Sequence, residues 1–196
     1  MLNRRVFIAS GLSALAFGTS AGAAQTTELM LPAAPIAGLT IAPELYPTVI
    51  RVKREFEPGS IHIISSQHFL YFIVRRGVAI RYGVAVGKAE LVYRGAAVVG
   101  KKVEWPSWKP TPEMIERNPK AYARYADGMP GGPTNPLGAR ALYLFENGRD
   151  TAVRIHGTTE PNSIGRSVSN GCIRMVNEHV IDLYNRVEPG APVMVY

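Results

Sequence analysis

From Val49 onward, apolar and polar residues form short runs of β type bounded by turn residues. Ile61 to Ile64 follows a Pro58-Gly59 turn. Phe69 to Val74 and Val78 to Val86 flank Arg75-Arg76-Gly77, which reads as a hairpin loop. Ala96 to Val103 is a further strand. Ala141 to Phe145 and Thr151 to Ile155 enclose Glu146-Asn147-Gly148-Arg149-Asp150, where Asn-Gly is a strong hairpin signal. Pro192 to Tyr196 closes the chain as a last strand.

Helical patterning is scarce. Thr111-Pro112 opens one short candidate, with threonine as cap and proline at the first helical position. Asn177 opens the other. Val180, Tyr184 and Val187 follow at helical spacing, and Pro189-Gly190 stops it. Between the first candidate and Ala139 lies a loop rich in proline and glycine, a length that in a compact domain marks a functional or disordered segment. There is no internal repeat. The pattern predicts a mainly β domain, a sandwich or partly closed barrel, with one or two short helices.

Residues 1–23 read as an export signal: Arg4 and Arg5, a short stretch of apolar and small residues from Val6 to Phe17, then Ala21-Gly22-Ala23 as a cleavage site. Arg4-Arg5-Val6-Phe7 resembles a twin-arginine signal, which leaves two routes open, that one and the general one. An uncleaved membrane anchor is the alternative, although no apolar run reaches the about 20 residues a span needs. Residues 24–48 read as a linker or loosely packed lead-in, and 49–196 as the domain.

Composition narrows the classes. Of 196 residues 46% are hydrophobic and 19% charged, which excludes intrinsic disorder for most of the chain. Lys and Arg number 22 against 15 Asp and Glu, giving +7; losing 1–23 removes two arginines and no acid, leaving +5. Such an excess favours acidic partners, and bacterial peptidoglycan is rich in free carboxylates. No Lys/Arg-rich run or nucleic-acid motif is present, so nucleic acid is not an expected partner. A single cysteine excludes an internal disulfide, a Cys-rich zinc site and an iron–sulfur cluster.

That cysteine lies in the most informative segment, from Arg154-Ile155-His156-Gly157-Thr158 to Ser169-Asn170-Gly171-Cys172-Ile173-Arg174-Met175. Unpaired thiols are usually avoided in exported proteins. A thiol needs a base or a cation to react near neutrality. His156 can carry and release a proton there, and Arg174 places a permanent charge near the thiol, to bind a substrate carboxylate or to favour the thiolate. Gly171 permits a sharp turn, and N–H groups around Gly171 and Cys172 are candidate oxyanion donors. The chemistry that fits is acyl transfer through a thioester. On its own a lone cysteine is most often a small buried hydrophobe, and a lone histidine a satisfied structural group, the class in which His62, His68 and His179 are left. A metal site at His156 and Cys172 would lack two further ligands.

The joint pattern resembles the L,D-transpeptidases, the YkuD-type catalytic domain. The matching stretches are Ile155-His156-Gly157-Thr158, Ile164-Gly165 and Ser169 to Met175, with weaker likeness at Pro58-Gly59-Ser60-Ile61 and Asn135 to Tyr143. The resemblance covers about 55–196. It implies a β-sandwich-like fold and a periplasmic or cell-wall enzyme that acts on peptidoglycan stem peptides. It implies Cys172 as nucleophile, His156 as general base and the Gly157 carbonyl as the group orienting the imidazole. Ser169, Gly171 and Arg174 would line the substrate site, with Tyr143 as a further contributor. D-alanine leaves a tetrapeptide, and an amine on a second stem or on a wall-anchored lipoprotein takes the acyl group. No metal or organic cofactor is implied, and the membrane is met only during export. Asn170 departs from the histidine of many relatives. Alternatives are an L,D-carboxypeptidase or amidase using water, a sortase-like enzyme, whose histidine usually lies further upstream, and a non-catalytic peptidoglycan-binding module. Papain-like peptidases order cysteine before histidine.

Overall fold

A computed structural model describes residues 29–32, 36 and 38–196. The export signal expected at 1–23 lies outside them. No helix among the described residues is long and apolar enough to cross a membrane.

Among the described residues there are eleven strands: β1 (Thr48–Arg51), β2 (Ile61–Ile64), β3 (Phe69–Arg75), β4 (Val78–Gly83), β5 (Val86–Gly87), β6 (Gly95–Glu104), β7 (Arg140–Glu146), β8 (Arg149–His156), β9 (Ser167–Ser169), β10 (Ile173–Arg174) and β11 (Pro192–Val195). The α-helices are α1 (Pro112–Arg117), α2 (Pro119–Tyr122) and α3 (Asn177–Arg186). Nine strands form one sheet in the order β1-β4-β3-β2-β11-β6-β7-β8-β10, and β5 pairs with β9. Most neighbours are antiparallel; β2–β11, β8–β10 and β5–β9 are parallel.

The predicted strands are found, with one correction. Val78 to Val86 is not continuous: β4 stops at Gly83, and Val86–Gly87 pairs with β9 instead. The β7–β8 turn holds Asn147 and Gly148 at φ 50 and 76, the two left-handed positions an Asn-Gly hairpin needs. Thr111 caps α1 by accepting from Met114 N at 3.3 Å.

Helix α3 supplies the filling of the curled sheet. Val180, Leu183 and Val187 are buried in one cluster with Ile63 and Tyr82 from one half of the sheet and Leu142, Leu144 and Ile155 from the other. Tyr82 OH donates to Asp182 Oδ2 at 2.6 Å, which ties α3 to β4 while its apolar face lies on β7 and β8.

Part of the lead-in expected at 24–48 lies against the domain. Leu29 and Leu31 pack against the main cluster. Ile36, Leu39, Ile41 and Leu45 cover a second one made of Ala85, Ile164 and Val176. These side chains are partly buried on the domain, which removes part of their apolar surface from water, whereas Met30 stays exposed. His179 differs from expectation: it is structural, yet neither ring nitrogen has a partner, and it sits between the rings of Tyr46 and Tyr82.

Candidate active site

The site is built where β8 ends beside β10. Ile173 faces Ile155 and Arg174 faces His156 in parallel register. Met175 N donates to His156 O at 2.8 Å. On its other side Arg174 exchanges hydrogen bonds with Ala85, N to O at 2.8 and O from N at 2.9 Å. The same register extended one residue back sets Cys172 against Arg154.

A bulge in β8 shapes the wall facing the thiol. Pairing with β7 jumps from Tyr143–Arg154 to Phe145–Asp150, leaving extra residues on β8. Thr151 Oγ1 donates to Leu144 O at 2.8 Å and Ala152 N to Asp150 Oδ1 at 2.8 Å, and Ala152 is held at φ 61. A left-handed alanine is strained, and the strain turns its carbonyl toward the thiol. Cys172 Sγ donates to Ala152 O at 3.8 Å.

The cysteine turn is stapled by Ser169. Its buried hydroxyl donates to Cys172 O at 2.5 Å and accepts from Gly171 N at 3.2 Å. Ser169 also borders the cavity, and its hydroxyl holds the turn through one donated and one accepted hydrogen bond. The Gly171 N–H is likewise engaged, while the Cys172 N–H donates to no group among the described residues. Gly171 itself is at φ 116, which a side chain rarely tolerates.

His156 is 4% exposed, and its Nδ1 lies 2.6 Å from Gly157 O. A carbonyl only accepts, so Nδ1 carries the proton and Nε2 keeps its lone pair. Neither Gly138 nor Gly157 has room for a Cβ, which would overlap Asn177 Oδ1. That oxygen accepts from Ala139 N at 3.0 Å, and Nδ2 donates to Thr158 O at 3.3 Å, so Asn177 ties the start of β7 to the end of β8.

Burial dominates both titrating groups. It lowers the His156 pKa to about 4, against the Gly157 and Leu137 carbonyls that favour the protonated ring. It raises the Cys172 thiol, against the Arg154 main-chain N–H and the charges of Arg154 and Arg174. At neutral pH the resting pair is a thiol and a neutral imidazole. The two arginines have resident partners. Arg154 is gripped by both oxygens of Asp150 at 2.6 and 2.7 Å and lies 3.9 Å over the Tyr143 ring. Arg174 pairs with Glu160 at 2.6 Å.

These groups open into a cavity of about 680 Å³. Cys172, His156, Gly171, Ser169, Arg174 and Tyr143 all border it; Gly157 does not, and reaches the site through its hydrogen bond to His156. Its other wall is segment 105–138, the proline- and glycine-rich loop with α1 and α2, which brings Trp108, Arg117, Tyr122 and Tyr125 over the site. Asn170, the position that departs from the family pattern, joins this wall to the cysteine turn: Arg117 Nη2 donates to its Oδ1 at 3.2 Å and its Nδ2 donates to Tyr122 OH at 3.0 Å. Asp150, Arg154, Glu160 and the covering residues were not singled out by motif. The clearest missed signal is Asn118-Pro119, which repeats the Thr111-Pro112 cap and starts α2.

A family model described as the L,D-transpeptidase catalytic domain matches residues 58–195. The chain belongs to the L,D-transpeptidase catalytic-domain family. A putative L,D-transpeptidase from the ATP synthase subunits region of Fuscovulum blasticum is 40% identical over 54% of this chain and 51% of its own length. The putative L,D-transpeptidase YqjB of Bacillus subtilis is 34% identical over 70% of this chain and 72% of its own. The chain thus spans about half the first of these relatives and more of the second. A crystal structure from Brucella melitensis, named a probable carnitine operon oxidoreductase, is 50% identical, covers 77% of this chain and 93% of its own, and has a TM-score of 0.55. That name belongs to the Brucella protein. In this chain the mostly antiparallel sheet is unlike the parallel, doubly wound sheet of dinucleotide-binding oxidoreductases. Both His156 and Cys172 lie within the stretch, 58–195, that the L,D-transpeptidase model matches.

Proposed function

We propose that the protein is an exported peptidoglycan L,D-transpeptidase of the periplasm or cell wall, with Cys172 as nucleophile and His156 as general base. The observation that carries this reading is the Nδ1–Gly157 hydrogen bond, because it commits one ring nitrogen and leaves Nε2 as a proton acceptor on the strand next to the thiol. Arg174 and the cavity wall seat the donor stem.

As the Cys172 sulfur attacks the carbonyl carbon of the bond before the terminal D-alanine, Nε2 takes the thiol proton. A C–S bond forms and the carbonyl oxygen gains the charge. The unengaged Cys172 N–H is the donor for that oxyanion. Collapse breaks the C–N bond, and the imidazolium gives its proton to the departing amine. The Gly157 and Leu137 carbonyls favour the ring during its brief charged life. An acceptor amine then attacks the thioester, loses its proton to His156, and the thiol is restored. The acceptor is the side-chain amine of a second stem peptide, giving a 3→3 cross-link, or a lysine of a wall lipoprotein.

The test is mass spectrometry of the purified protein with tetrapeptide muropeptides, with Cys172→Ala as control. Cross-linked dimers and released D-alanine are expected from the native protein only. Tripeptide without dimer would make it a hydrolase towards these substrates, and no acyl-enzyme at all would overturn the assignment.

A further inference from the structure

Arg174 stands two residues after the thiol, and its partner is unequal to it. The Arg174 side chain is 21% exposed and that of Glu160 69%. Main-chain bonds to Ala85 fix Arg174 from below. The backbone of Glu160 is equally fixed: its N–H donates to Thr158 Oγ1 at 2.9 Å, and its carbonyl accepts from Ser163 Oγ at 2.7 Å. Only the Glu160 side chain is free to leave. The other arginines of the wall are held differently, Arg154 by a two-pronged grip and an aromatic stack, Arg117 by the neutral amide of Asn170. An ion pair with a solvent-exposed carboxylate adds little stability and is screened by salt. Glu160 therefore gives way readily to a competing anion.

We propose that Glu160 is a resident stand-in for a substrate carboxylate on Arg174. The C-terminal carboxylate of the departing D-amino acid displaces it, and Glu160 thereby sets how tightly and how selectively the cavity takes acid-ended donors. This rests on the reading of the site as a transpeptidase centre. Arg174 and Cys172, two residues apart, line the same cavity, so a carboxylate seated on Arg174 lies near the sulfur. In a tetrapeptide donor, the carboxylate adjoining the scissile bond is the terminal one. A donor with a neutral end gains nothing by displacing Glu160 and leaves the pair closed.

The experiment is calorimetric binding to the full chain carrying Cys172→Ala, with and without Glu160→Gln. Two tetrapeptide stems are compared, one ending in free D-alanine and one in D-alanine amide. Glu160→Gln is expected to tighten the free-acid stem by about two- to five-fold, the size of one exposed ion pair, and to leave the amide unchanged. Glu160→Ala should do the same. Equal changes in both stems, no change in either, or failure of both to bind would overturn the proposal. D-alanine release by the protein with Cys172 intact is scored separately. Release without selective tightening removes the Glu160 inference and leaves the activity standing. Selective tightening without release removes the activity and leaves the carboxylate site.

Discussion

His156, Cys172 and Arg174 stand on main-chain hydrogen bonds between β8, β10 and Ala85, whereas segment 105–138 is held over them largely by side chains. On the floor, Ile155, Ile173 and Met175 are buried, and the strand register fixes each functional group within its neighbours' reach. In the cover, neither α1 nor α2 buries a residue. Trp108 packs on Tyr122 and Tyr125, the Trp108–Met129 bridge closes the segment on itself, and Asn170 supplies side-chain hydrogen bonds from the floor. The floor is thus suited to chemistry that needs fixed geometry, and the cover to admitting and retaining a substrate. Substitutions in the two regions should fail in different ways.

The largest effect is expected on the floor. Cys172→Ala should abolish acyl-enzyme formation with no loss of folding, because the half-buried thiol makes only weak hydrogen bonds, such as that to Ala152 O at 3.8 Å. Intact-mass measurement of acylation beside a thermal melt checks both. His156→Gln should cut turnover by about 10²- to 10⁴-fold, the range of a general base. Its pH signature distinguishes a base from a pre-formed ion pair. With the imidazole pKa near 4 and the thiol raised, kcat/KM should be flat through neutrality and fall only as pH drops toward 4. A limb centred near the ordinary histidine value of about 6.5 would contradict this.

Burial of neutral histidines also makes the floor acid-sensitive. His156 and His179 both have pKa values lowered to about 4 by desolvation. Between about pH 6.5 and 4 the unfolded chain binds more protons than the folded one. Stability is therefore full above this window and declines as pH falls through it. Each ring should cost about 2 kcal/mol at pH 5. Denaturant melts at pH 8 and pH 5 measure the loss. His179→Phe, which keeps a ring between Tyr46 and Tyr82, should remove roughly half of it. An unchanged pH dependence in that variant would show that His179 is not a source.

The two regions also differ in how far the sequence reveals them. Short runs of β type mark β2, β3, β6, β7, β8 and β11, each of which spans four or more residues. The Asn147-Gly148 turn and the Val180, Tyr184, Val187 spacing mark the β7–β8 hairpin and α3. The strands β5, β9 and β10 run for only two or three residues, and their pairing depends on parts of the chain far apart in sequence. The β8 bulge is invisible for the same reason: Ala152 adopts φ 61 through bonds made by Asp150 and Thr151, not through its own preference. At the site, the histidine and cysteine stand in motifs that local spacing reveals. Glu160 is an ordinary loop acid until the fold sets it on Arg174. Beyond the Thr111-Pro112 and Asn118-Pro119 caps, the covering segment announces itself as proline and glycine, since its aromatic residues follow no period.

The smallest predicted effect lies at the seam between the regions. Asn170 uses both ends of its amide on the cover, accepting from Arg117 of α1 and donating to Tyr122 of α2. Both bonds are exposed, so each is worth about 1 kcal/mol or less to stability. Their position matters more than their strength, because the residue holding the cover adjoins the turn that carries the thiol. Tyr122→Phe removes one bond and leaves the turn untouched. It should leave acylation and the melting temperature nearly unchanged while raising, by a few-fold, the fraction of acyl-enzyme lost to water rather than passed to an amine. Asn170→Ala should shift that fraction in the same direction, and Arg117→Ala as well. The ratio of tripeptide to cross-linked dimer reads it directly. If all three variants keep the native ratio, the cover does not regulate water access. If they slow acylation itself, the seam belongs to the floor.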